Sequence, residues 1–306
     1  MTAGTTKQKT LKAEIGCTGV ALHSGCETTL TLKPAAENTG IRICRTDLLN
    51  GAREIIVNWN NVVDTRLATT IGNDHGSTVS TVEHLAAALA GCEIDNVLIE
   101  VDGPEIPIMD GSSAPFVFLI ECAGTVEQNA VRTAVKILKP VTVGDETRSL
   151  SILPAKEFSL AFEIDFDSSA IDRQERTFQR IGADFKSDIA RARTFGFDHE
   201  VEALRSAGLA RGGSLDNAVV VSGDKILNEG GLRFDDEFVR HKILDCVGDL
   251  YLAGGPVIGE VIASKSGHAL NNALLRAVFA DDDAWVRIDA PQSSDQETVP
   301  MISAVA

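Results

Sequence analysis

The run EFVRHKILDCVGDLYLAG sets His241, Asp245 and Asp249 four residues apart. At about 100° per residue they fall opposite an apolar arc of Val239, Ile243, Cys246 and Leu250, widened by Leu244, Val247 and Tyr251. Residues four apart are neighbours on a helix, so His241 and Asp245 can close on one metal ion, with Asp249 one turn further along. A solvated face carrying a His–Asp pair explains the same spacing. Upstream, STVEHLAAALAG puts Glu83 and His84 in the first turn of a second candidate helix, opened by Ser80 and closed by Gly91, with Val82, Leu85, Ala86 and Leu89 on its buried side. Ser80-x-x-Glu83 also fits a capping box, in which Glu83 only reaches back to a backbone N–H. In SKSGHAL, His268 stands at a Gly-Ser turn entering a helix, just after Lys265. There it either flanks the helix or, as a cation, stabilises an oxyanion and protonates a leaving amine, with Asp249 on its second ring nitrogen. In IARARTFGF, Thr194 offers a hydroxyl and Phe195 a large apolar wall.

The elements that would position these groups occur twice. Residues 1–65 alternate apolar and polar positions in short runs (ETTLTLKP, GIRICRTD, REIIVNW), as antiparallel strands do. The Glu83 helix, the strand NVLIEV, the loop DGPEIPIMDGSS and the helix APFVFLIECAG follow, the last ending at Gly124. The second half repeats the order: TVGDETRSLSILP and FSLAFEIDF, the His241 helix, PVIGEVIA, SKSGH and ALNNALLRAVFA. This pattern predicts an α+β protein of two duplicated domains, residues 1–127 and 128–306, joined near Glu127 to Val131. If the corresponding helices face one another, His84 meets His241 and Asp245, giving two imidazoles, one carboxylate and an open position, a set suited to catalytic zinc. The same set describes a non-haem iron oxygenase. Glu83 favours hydrolysis, which needs a general base beside the metal where an oxygenase does not.

The 306 residues carry 44 acidic and 28 basic side chains, for a net charge of −16, and 44% are apolar. The composition excludes bulk disorder, and the length suits two domains. The charge opposes binding to nucleic acid or anionic lipid. The opening MTAGTTKQKTLKAEI lacks an apolar signal region, and PFVFLI and NAVVV are too short to span a bilayer, so a cytoplasmic chain without membrane insertion is expected. The six cysteines, Cys17, Cys26, Cys44, Cys92, Cys122 and Cys246, form no Cys-x-x-Cys pair and read as small buried hydrophobes, with a reservation for Cys246 beside Asp245. His23, His75 and His199 receive no role, although His23, in GVALHSG, is the one expected to approach a substrate.

STVEHLAAALAG, IDNVLIEVDGPEIPIMDGSSAPF, ARTFGF, GGSLDNAVVV, LNEGGLRFDDEFVRHKILDCVGDL and SKSGHALNN together resemble the UDP-3-O-acyl-N-acetylglucosamine deacetylases nearly end to end. Residues 1–11, 127–188 and 280–306 match least distinctively. The resemblance implies hydrolysis of the 2-acetamido group of UDP-3-O-(3-hydroxyacyl)-N-acetylglucosamine, which releases acetate and commits the sugar to lipid A. It implies two β-α-α-β domains, each with an inserted subdomain, and one Zn²⁺ held by His84, His241 and Asp245. Zinc would acidify bound water to about pKa 7 and polarise the carbonyl, with Glu83 as base. His268 would be the acid, kept charged by Asp249, with Thr194 an oxyanion donor and Lys242 beside the reaction. By the same resemblance Lys242 and Lys265 lie near sugar and diphosphate, Phe166 lies against uracil, and Leu67, Phe195, Ala218 and Val220 line an acyl passage. A monomer is expected. The competing readings are a metal hydrolase of another acylated amide, the iron oxygenase, and a catalytically silent sugar-nucleotide binder, which would need neither base nor acid.

Overall fold

The computed structural model describes residues 6–49, 52–179 and 181–291. The fold is α+β. One five-stranded sheet runs Ile15–Val20, Glu27–Pro34, Val97–Val101, Ile41–Arg45, Glu54–Ile56. The other runs Val141–Gly144, Ser149–Leu153, Glu260–Ser264, Ser159–Asp165, Arg173–Phe178. In each, the third and fourth strands are parallel and every other pair is antiparallel. The alternation seen in the sequence makes these sheets one-sided. Thr28, Leu30 and Leu32 of one strand, and Leu160, Phe162 and Ile164 of another, point inward while their neighbours do not.

Six α-helices occur among the described residues: α1 (Glu83–Gly91), α2 (Ala114–Ala123), α3 (Ala183–Asp188), α4 (Asp198–Ser206), α5 (Glu237–Tyr251) and α6 (His268–Phe279). In the first half, α1 and α2 bracket the strand Val97–Val101; in the second, α5 and α6 bracket Glu260–Ser264. Each half also carries a three-stranded sheet, built from Val62–Asp64, Thr70–Gly72 and Thr78–Val79 in one and from Phe195–Phe197, Val219–Ser222 and Lys225–Ile226 in the other. Position 127 falls within the strand Thr125–Val131, which pairs back on Lys7–Leu11.

Helices α1 and α5 pack directly on each other. A Cβ at Gly248 would stand 2.1 Å from the Glu83 carbonyl oxygen and 3.1 Å from the Ala87 nitrogen, so the two backbones meet where no side chain fits. Every residue of α1 is buried, and in α5 only Arg240 and Lys242 are not. This overturns the solvated-face reading of His241, Asp245 and Asp249. The side of α5 away from its apolar arc faces protein, because a second helix covers it. Two local expectations are also corrected. Helix α1 begins at Glu83 with Val82 at its N-cap, three residues after Ser80, whose hydroxyl pairs with that of Thr70 at 2.6 Å. The cysteines are not uniformly buried: Cys92 and Cys246 are, Cys17 and Cys44 are half-buried, and Cys26 and Cys122 are exposed. Cys122 lies off the face of α2 that buries Phe116, Ile120 and Ala123.

Candidate active site

Three side chains converge where α1 meets α5. His84 Nε2 and His241 Nε2 lie 3.6 and 3.4 Å from Asp245 Oδ1, and the three ligand atoms fall within 4.8 Å of one another. The rings stand at 87°. Burial holds His241 neutral, with its pKa pushed down to about 3. Its single ring proton is claimed at Nδ1 by the Ala192 carbonyl 3.1 Å away, so Nε2 turns a lone pair toward a carboxylate oxygen. Burial favours the neutral form of Asp245, but the Lys242 ammonium beside it outweighs this and holds the carboxyl well below its usual range. Its Oδ2 accepts from Lys242 Nζ at 2.6 Å, while Oδ1 is buried without a hydrogen-bond partner among the described residues. Two buried acceptors face each other with no proton between them. That arrangement is costly alone and is resolved by a cation. The residues therefore fit a metal ion, and their nitrogen and oxygen donors suit zinc or iron alike.

Beside this trio lies a proton-handling group. Glu83, 3% exposed, makes no capping box; its Oε2 accepts from the Thr69 N–H at 3.0 Å. Burial raises its pKa against the opposing charge of His268. His268 is the first residue of α6, after Gly267 at the cap. Burial works to lower its pKa, but Asp249 and Glu83 prevail and raise it to about 9, so it is a cation near neutral pH. Its Nδ1 lies 2.8 Å from Asp249 Oδ2, and its Nε2 points toward Glu83 Oε1 at 3.8 Å and Asp245 Oδ2 at 4.0 Å.

A family model described as LpxC: UDP-3-O-acyl N-acetylglycosamine deacetylase matches residues 8–280. The chain belongs to this family. Proteins named UDP-3-O-acyl-N-acetylglucosamine deacetylase are similar to it along nearly their whole length. That of Aliivibrio fischeri is 53% identical over 91% of this chain and 92% of its own. That of Haemophilus influenzae is 52% identical over 96% of both, and that of Acidithiobacillus ferrooxidans is 52% identical over 92% of this chain and 93% of its own. This deacetylase is thus a hydrolytic enzyme, and the matched residues include every group of the converging site.

In the deacetylase, a cavity of about 380 Å³ opens onto that site. Of the residues singled out in the sequence, Leu67, Glu83, His84, Phe166, Thr194, Phe195, His241, Lys242, Asp245 and His268 line it. Phe166 packs edge-on against Phe195 at 5.6 Å between ring centroids. Thr194 is fixed by its neighbours: its N–H donates to the Gly111 carbonyl and its carbonyl accepts from Val219, each at 2.8 Å. Gly111 sits at φ +84°, where a Cβ would strike the Asn217 carbonyl. Asp249 is reached only through His268. Ala218 and Val220 are not among the lining residues; they flank Val219, one strand over from Phe195, and are held by Asn228. Lys265 is also outside the lining, on the surface and paired with Asp165 at 2.6 Å. The cavity also gathers residues to which the sequence assigned nothing, among them Leu22, Arg148 and Glu200, together with His23. Cys246 is inert packing, its thiol pKa driven upward by burial.

Proposed function

We propose that this deacetylase removes acetate from the 2-acetamido group of UDP-3-O-(3-hydroxyacyl)-N-acetylglucosamine, the committing step toward lipid A. It uses one zinc ion held by His84, His241 and Asp245. The observation carrying the reading is the buried, unpartnered Asp245 Oδ1 facing an unprotonated imidazole, beside a carboxylate and a cationic histidine. Bound zinc would supply a water acidified to about pKa 7 and a polarised carbonyl. Glu83, with Oε2 held by Thr69, keeps Oε1 free to take the proton of the attacking water. The Thr194 hydroxyl, on a segment pinned at both sides, donates to the oxyanion. His268 gives its Nε2 proton to the departing amine while Asp249 holds Nδ1. Lys242, ion-paired with Asp245, adds positive charge at the sugar, and Phe166 offers a face to the uracil.

Leu67 and Phe195 form the start of the acyl passage, with Ala218 and Val220 deeper along it. Lys265 reaches the diphosphate only by leaving Asp165, and Arg148 already lines the cavity on that errand. The repeated sheet order supports two duplicated β-α-α-β domains, residues 1–127 and 128–306. Six free thiols suit a reducing cytoplasm, and a monomer is the oligomeric state we assign.

Acetate release by aerobically purified protein, measured beside its metal content, tests the reading. The expected result is one zinc per chain and hydrolysis that depends on the 3-O-acyl chain, with both metal and turnover lost in His241→Ala. Stoichiometric iron with no acetate, or full metal and activity in that variant, overturns it.

A further inference from the structure

Thr69 belongs to neither the metal trio nor the cavity lining, yet it touches both carboxylates that handle protons. It is 1% exposed, next to the strand Thr70–Gly72. Its N–H donates to Glu83 Oε2 at 3.0 Å, and its hydroxyl lies 2.5 Å from Asp249 Oδ1 and 3.3 Å from His268 Nδ1. The hydroxyl has one proton, and the shorter contact, to a carboxylate oxygen that can only accept, takes it: Thr69 donates to Asp249. On each carboxylate Thr69 occupies the oxygen turned away from the chemistry. Glu83 Oε1 is left facing His268 Nε2 at 3.8 Å, and Asp249 Oδ2 is left for His268 Nδ1 at 2.8 Å, with Asn271 Nδ2 as its other donor at 2.8 Å. Glu83 stands at the start of α1 and Asp249 near the end of α5, so one residue from a third element sets the rotation of both.

We propose that Thr69 is a positioning residue that couples the base to the acid. It holds Glu83 and the Asp249–His268 pair in one fixed network, so that the proton taken from water and the proton given to the amine move between prearranged atoms. This rests on the roles given above to Glu83, Asp249 and His268. A hydrogen bond to a charged group governs rate only where the geometry it fixes is used in the transition state.

The test is made on zinc-loaded enzyme, with metal content and thermal midpoint recorded beside kinetics. Thr69→Val keeps the volume and the N–H but removes the hydroxyl. It should lower kcat about tenfold to a hundredfold with KM and metal content unchanged. Thr69→Ser restores the hydroxyl and should recover most of the loss. A packing role predicts the reverse order, with Ser the damaged variant. Should Thr69→Val not fold, Thr69→Cys, a weak donor of similar size, gives the same comparison with Ser. Wild-type kcat in the hydroxyl-deleted variant, alongside inactive Glu83→Gln and His268→Ala, overturns the Thr69 inference alone. Active Glu83→Gln and His268→Ala overturn the reading on which it rests.

Discussion

Glu83 is a residue whose two readings, cap and base, make opposite demands on its chemistry. A capping carboxylate tolerates Gln, since either side chain accepts and either can fill a capping box. Here Glu83 caps nothing: its Oε2 takes the Thr69 N–H and its Oε1 faces His268. Glu83→Gln should stay folded and keep its metal while losing about 100-fold or more in turnover, and His268→Ala should behave likewise. Acetate release with metal analysis checks both; near-normal turnover of the Gln variant removes the base. At this scale most of the site was legible in the sequence, because Glu83–His84 and His241–Asp245 lie within single helical turns. Thr69 was not legible. It stands 14 residues from Glu83 and 180 from Asp249, and a threonine in TRLATT bears no local mark of either contact. Lys265 shows the opposite failure, a conspicuous cation beside His268 that pairs with Asp165 on the surface.

Helix α5 does more than carry ligands, because its first turn anchors the segment opposite. Glu237 is fully buried and accepts from the Arg193 backbone N–H, the Arg193 guanidinium and the Arg233 N–H. This clamp presents the Ala192 carbonyl to His241 and aims Thr194 at the cavity. Burial opposes ionisation of Glu237, but Arg193 and the two N–H groups prevail and hold its pKa below the ordinary carboxylate value. A folded-state pKa lower than the unfolded one contributes stability that is present above the unfolded value and is lost as pH falls through the folded one. Glu237→Gln should therefore cost about 3 kcal/mol at neutral pH, with its unfolding midpoint converging on wild type as pH falls below the ordinary carboxylate range and through the depressed folded pKa. Urea denaturation across that range checks it; a constant gap would assign the effect to packing. The apolar arc of α5 was plain from periodicity. Burial of its other side was not, since the helix that covers it lies far away in the chain. Nor was the true start of α1, because Ser80 spends its hydroxyl on Thr70 instead of a helix N–H.

Across the whole molecule, the metal trio takes His84 from one half and His241 with Asp245 from the other, so ligand binding and docking of the halves are linked. Metal held at a hundredfold excess over its dissociation constant adds about 2.7 kcal/mol to stability. Chelation should then lower the thermal midpoint by on the order of 5 °C, zinc should restore it, and His241→Ala should respond to neither. Calorimetry with and without chelator checks this, and an unmoved wild-type midpoint would break the link. The burial of all nine residues of α1 bears on the protein's synthesis as well. Part of its cover is α5, which leaves the ribosome only after the whole stretch from Gly91 to Glu237, roughly 7–30 s later at about 5–20 residues per second. Through that interval α1 can rest on α2 and the first-half core, but the side that Gly248 of α5 will meet stays uncovered. A message truncated before residue 237 would leave that side bare permanently, an apolar strip prone to association.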